Sequence, residues 1–355
     1  MKTKHLLLLL PAAAIAGVVL AQGPLTPPGA PLPVMKTLDQ IEPRIPISSL
    51  PSNITESGSY YLTRNLHYTG AEAEAIYINA SNVTLDLMGF TLSSSDAVTG
   101  VAIRVWDGFR EVEIRNGAIV GGTEVQVSGT APNQMWTVTP AGFSYGILAN
   151  PSPNPEPSSF HFSQLRISRC RVDGLKGGEH AIVEHVTSAK NGFTGINLSG
   201  GGNVTNCTAS YNGRSGISVF SGNVTNCVAS SNGTTGLGGA SGLVVANSTA
   251  ERNGGVGIAA NNVTSCNANI NGSHGIWGAY IAVANSRASG NGSRGIFSQG
   301  GGSVTNCTAR SNGDDGINAS GVVAFCNASN NNTNINGSVD IDAVGATRTG
   351  NNPTP

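Results

Sequence analysis

Three residues able to take up a proton or steady a charge recur at one spacing: His274, Arg294 and Asp315, 20 and 21 positions apart. Three residues after each stands Trp277, Phe297 or Asn318, and Asp314 precedes Asp315. Brought side by side, the first trio would supply a base, Asp315 or His274, and a guanidinium over developing negative charge. The second would supply two aromatic faces edged by polar groups. Sugar rings stack their apolar faces on such a surface, while Asn318 and Asp314 would read hydroxyls. The plainer reading makes these freely varying turn positions, with Arg294 and Asp315 a surface ion pair of little energetic weight and the aromatics covering a neighbouring loop. Elsewhere, His180, Glu184 and His185 are close enough in sequence to be weighed as metal ligands, although the repeat gives His185 a corner position instead.

Those spacings belong to a longer pattern. The phrase Asn-Gly-x-x-Gly-Ile starts at Asn191, Asn212, Asn232, Asn253, Asn271, Asn291 and Asn312, with a degenerate eighth copy read at Asn332. The gaps are 21, 20, 21, 18, 20, 21 and 20 residues. Units this short cannot bury an apolar face alone and do so only by stacking on their neighbours. A second phrase, Val-x-Asn-Cys-x-Ala, lies between the copies and places Val204, Val224, Val245, Val263, Val283, Val304 and Val323 in one column. The matching Ala column runs from Ala209 to Ala328. Three apolar spots per repeat, flanked by polar residues at period two, predict three short strands per coil.

The fold class that follows is all-β, a single-domain parallel β-helix of about 20 residues per coil, with like residues stacked ~4.8 Å apart. Asn before the Cys column, as at Asn206 and Asn226, suits a left-handed corner. Ser265 and Phe325 break that column, which predicts distorted corners there. Leucine-rich repeats need more Leu than follows residue 190, and a hexapeptide helix needs a strict period of about 18. Cys207, Cys227, Cys266, Cys307 and Cys326 share their column with Ser248 and Ser286, which marks a small buried filler. No Cys-x-x-Cys spacing points to a metal. Adjacent column-mates would stand slightly beyond the usual disulfide separation, so free thiols are expected.

With Ile76–Leu92 reading IYINASNVTLDLMGFTL and Val112–Ile119 reading VEIRNGAI, the stretch from about 55 to 343 resembles the right-handed parallel β-helix proteins of the pectate-lyase-like superfamily. Met88 departs from the Asn that the family often has at that turn. The resemblance implies polysaccharide as substrate class, with lyase or glycoside hydrolase chemistry if the chain is an enzyme. Gly313-Asp314-Asp315 is similar to the paired aspartates of polygalacturonases, which act as acid and base across a glycosidic bond. The family's Asn-Thr-Asp, its later Gly-His-Gly and its Arg-Ile-Lys are missing here, and Ser273-His274-Gly275 lies on the wrong side. The alternative function is a non-catalytic surface or periplasmic structural or adhesion scaffold.

Residues 1–21 read as a secretory signal peptide: Lys2, Lys4 and His5, an apolar block from Leu6 to Leu20, and Val19-Leu20-Ala21 at the cleavage site. A Pro-rich linker (22–52), an N-terminal cap (53–75), the β-helix (76–343, with a loop insertion at 120–163) and a polar tail (344–355) follow. Charged residues are 11% of the chain and the net charge is −1, so there is no basic stripe for nucleic acid. The expected product is a secreted or periplasmic monomer without membrane insertion. No cofactor is called for, and no acidic cluster is clear enough to hold calcium. Charged and aromatic groups gather legibly at one place, 274 to 315.

Overall fold

The computed structural model describes residues 43–70, 73–94, 100–131, 133–149, 159–331, 340–342, 348–349 and 352–353. The signal peptide at 1–21, linker residues 22–42, Asn332 and most of the tail at 344–355 lie outside the described residues. The chain winds as an all-β parallel solenoid of about 13 turns with roughly 21 residues per coil.

Each coil contributes one strand to each of three parallel ladders. The first contains Ile196–Leu198, Ile217–Val219 and Leu237–Gly238; the second Gly202–Thr205 and Gly222–Thr225; the third Thr208–Ser210 and Val228–Ser230. Val204 pairs with Val224 and Val224 with Val245, as the column requires, and Ala209 likewise pairs with Ala229. The Val, Ala and Ile columns are buried throughout. Parallel strands paired on both sides, with one face turned inward, hold the hydrophobic column together along the axis.

The ladders reach back into the expected cap, since Ser52–Ile54 pairs with Glu74–Ile78, and Glu74–Ile78 with Val101–Val105. Within 120–163, Glu124–Ser128 and Met135–Thr139 form an antiparallel hairpin, and Tyr145–Ala149 is again a coil strand paired with Val101–Val105. The hairpin lies on the solenoid flank, where Trp136 donates Nε1–H to the Ser231 carbonyl at 3.2 Å.

The repeating Asn-Gly-x-x-Gly phrase has a cause the sequence reading did not supply. Its Asn side chains form a buried amide ladder: each Nδ2 donates to the Oδ1 of the next coil, as Asn232 does to Asn253 at 2.9 Å and Asn253 to Asn271 at 3.0 Å. Each Oδ1 also takes the backbone N–H of the coil before. A Cβ on Gly216 would stand 2.7 Å from Asn232 Nδ2, and one on Gly213 2.2 Å from the Gly192 carbonyl oxygen, so neither position tolerates a side chain. The last asparagine of the ladder among the described residues is Asn331, which accepts from Asn312 at 2.8 Å and donates from Nδ2 to Asp340 Oδ1 at 2.7 Å. The eighth copy is therefore Asn331, not Asn332.

The corner between second and third ladders is left-handed, with φ of 54° at Asn206 and Asn226. Ser265 and Phe325, expected to distort it, have φ of 55° like the rest. Ladder pairing on both sides imposes the conformation whichever residue occupies it. His185 takes the same corner at φ 55°. All six cysteines are buried free thiols. Among the described residues no helix is long and apolar enough to cross a membrane.

Candidate functional site

Alternation along the first ladder turns the residue after each Ile or Leu outward, so one outward column runs up the coils. Register fixes it: Lys176, Asn197, Ser218, Gly238, Ala259, Trp277, Phe297, Asn318 and Asp342 are successive partners. The column two residues before that Ile runs beside it and carries His274, Arg294 and Asp315 on three successive coils. The structure thus brings all seven candidate residues into one neighbourhood.

Their contacts refine what the spacing promised. Arg294 donates from Nε to Asp315 Oδ2 at 3.0 Å and lies 3.4 Å from Asp314 Oδ2. Asn318 donates from Nδ2 to the same Asp315 oxygen at 2.8 Å and to Asp342 Oδ2 at 3.0 Å. Asp315 is only 3% exposed, so its pairing with Arg294 is not the loose surface ion pair of the plainer reading. Burying a carboxylate costs desolvation energy, which the donors of Arg294 and Asn318 offset. The Arg294 guanidinium sits 4.4 Å from the Phe297 ring centroid and the His274 ring 5.2 Å from it. Phe297 is accordingly an internal support for the cluster, and Trp277, 37% exposed, is the open aromatic.

His274 is held below its ordinary pKa of 6.5, first by burial and then by the Arg294 charge, with Asp314 pulling the other way. Its Nδ1 is buried without a hydrogen-bond partner. Protonation would leave an orphan N–H there, a second reason for the neutral imidazole.

Below Trp277 the outward column becomes small and polar, and a groove of about 440 Å³ opens over it. Asn197, Ser218, Gly238 and Ala259 form its floor, Ser215, Thr235 and Phe220 its sides, and Trp277 its upper end. Phe220 is 50% exposed. At the lower end Asp173, in the same column as Asp315, accepts from Asn197 Nδ2 at 2.9 Å and from Thr194 N at 3.0 Å. Burial raises its pKa against the pull of those bonds and of Lys176 and Arg214. Sequence reasoning missed Asp173 and Phe220. The signal for Asp173 was there: Asp-Gly-Leu at 173–175 is the second half of a repeat whose Asn-Gly is absent.

A second gathering of charge lies on the outward face of the second ladder, which corrects the reading that only 274–315 carries one. His161 Nε2 stands 2.9 Å from Glu184 Oε1, Arg115 Nη1 3.2 Å from Glu113 Oε1, and Arg115 Nε 3.4 Å from Asp86 Oδ2. Glu184 is therefore engaged with His161, while His180 and His185 are exposed. Among the described residues no group of three or more His, Cys, Asp or Glu is placed to hold a metal ion, and His180, Glu184 and His185 form none.

The family described as right handed beta helix region matches residues 174–335. Among solved structures, the A-module of the Azotobacter vinelandii mannuronan C-5 epimerase AlgE6 overlaps 84% of this chain and 91% of its own at 15% identity and a TM-score of 0.48. Pectate lyase Pel9A overlaps 83% and 80% at 17% identity and a TM-score of 0.47. No curated protein matches the chain in sequence. The paired ladders make the chain a parallel β-helix repeat protein, and over residues 174–335 the family match is to the right-handed kind.

Proposed function

We propose that the protein binds an extended glycan along the outward face of its first ladder, over the groove from Asn197 to Trp277. The observation that carries this reading is the groove itself: a floor of one amide and small residues, hydroxyls along its sides, and two exposed aromatics, Phe220 and Trp277. Rings stack on aromatic faces and polar groups read hydroxyls, while the straight floor admits a chain rather than a single sugar. The cluster of His274, Arg294, Asp314, Asp315, Phe297 and Asn318 adjoins the Trp277 end.

Binding is placed ahead of bond cleavage because Asp315, the carboxylate that would act as base, has one oxygen shared by Arg294 and Asn318. The signal-like segment at 1–21 supports export, which puts the chain where glycans are met. Retention of Trp277→Ala and Phe220→Ala on a panel of immobilised polysaccharides tests the reading. Each truncation is expected to weaken binding about 3- to 10-fold, the worth of one stacked ring. Unchanged retention of the double variant overturns it. Incubation of the mature chain with the same polysaccharides, with and without calcium, reports cleavage.

A further inference from the structure

We infer that the glycan this groove accepts is a neutral one, not a polyuronate. The inference rests on the glycan reading above and concerns which sugars fit it.

None of the thirteen residues lining the groove carries a charge. Hydrogen bonding there comes from Asn197, Ser199, Ser215, Ser218 and Thr235, apolar contact from Phe220 and Trp277. Hydroxyls and amides donate and accept alike, which matches sugar hydroxyls, themselves both donors and acceptors.

Successive floor positions repeat every ~4.8 Å, so the four steps from Asn197 to Trp277 span about 19 Å, room for a few rings in line. A polyuronate carries a carboxylate on every ring. Several would lie against Ser, Thr, Gly and Ala with no cation facing them, and desolvating an unpaired carboxylate is costly.

The charges at the two ends do not relieve this. At the upper end Arg294 is already between Asp314 and Asp315, and Asp342 lies one coil further on. His274 stays neutral there, as argued above. At the lower end Lys176 lies 5.9 Å from the Tyr145 ring centroid, and both Lys176 and Arg214 act on Asp173, buried beside Asn197. A chain entering from the upper end meets the Asp314–Arg294–Asp315 cluster before the floor, and one entering from the lower end passes Lys176, the column residue next to Asn197. The cations thus stand at the ends of the groove, and the rings lying between Ser218 and Ala259 have none beside them, which a neutral chain does not need.

The test uses one soluble neutral β-glucan and the same polymer oxidised at its primary alcohols to uronate, so that only charge differs. Affinity electrophoresis of the full mature chain, with and without calcium, should show retention by the neutral polymer and at least about tenfold weaker retention by the oxidised one. Ser218→Lys puts a cation on the exposed floor without touching the core, and should move the preference toward the oxidised polymer. Equal or tighter retention of the oxidised polymer by the unaltered chain, in either condition, overturns the neutral assignment and leaves glycan binding standing. Retention of neither polymer, nor of any other on the panel, overturns glycan binding and this inference with it.

Discussion

The two halves of the solenoid hold one architecture by different means. From 174 to 331 every coil repeats the same apolar columns and adds one rung to the buried amide ladder, each rung making hydrogen bonds at about 3 Å to both neighbours. From 45 to 168 the strands pair just as well, but the core is filled by large, varied side chains such as Tyr68 stacked on Phe143 and Phe160 on Phe162. There the polar contacts are a branching network, Asn116 donating to Asp86 and Arg115 bridging Asp86 to Glu113. A periodic sequence can thus repeat one buried polar solution, whereas an aperiodic one must fill each coil separately and satisfy buried polar groups such as Asp86 one by one.

Substitutions in the two halves should separate them. The largest effect is expected for Asn253→Ala. It removes the oxygen that accepts from both Asn232 Nδ2 and the Asn232 backbone N–H, leaving that buried N–H without its acceptor, at a cost of about 2–4 kcal/mol in urea unfolding. Asn116→Ala, partly exposed and with one such bond, should cost about 1 kcal/mol or less. Equal losses would end the distinction between ladder and network.

Next comes Arg294→Ala, which leaves the buried Asp315 with Asn318 as donor and is expected to cost about 1–2 kcal/mol, because the arginine itself is partly solvated. Its counterpart Arg115→Ala should cost less than about 1 kcal/mol, since Asp86 keeps its bonds from Met88 N and Asn116. Differential scanning of the two variants against the parent reads the order directly.

A smaller, pH-dependent difference belongs to His274. Its folded pKa lies below the ordinary 6.5, so the unfolded chain takes up the proton first as pH falls. Stability should therefore drop as pH is lowered below about 6.5, and that drop should shrink in His274→Gln. Thermal midpoints at pH 7.5 and 5.5 check the sign; a parent that gains stability on acidification contradicts it. The smallest perturbation is expected of a thiol reagent on the folded chain. All six cysteines are buried, and burial raises the thiols of Cys170 and Cys266, so labelling should need denaturant.

What could be read in advance follows the same divide. In the regular half, counting from Asn191 placed His274, Arg294 and Asp315 on neighbouring coils because each coil has nearly one length. In the other half coil lengths vary, so no count could bring Asp86, Glu113, His161 and Glu184 together. The ladder was missed although its Asn residues were in plain view, because a turn and a buried amide both favour Asn. Phe297 was read as an open platform, since spacing does not reveal that Arg294 and His274 lie against its ring.

The sequence by itself determined the coil, its period and which columns face inward, because apolar periodicity at a fixed repeat leaves one way to bury every copy. Only the tertiary structure decided which outward side chains are free. Whether Asp315 is buried, Phe297 covered or Trp277 open depends on contacts between coils, about twenty residues apart along the chain and ~4.8 Å apart in space.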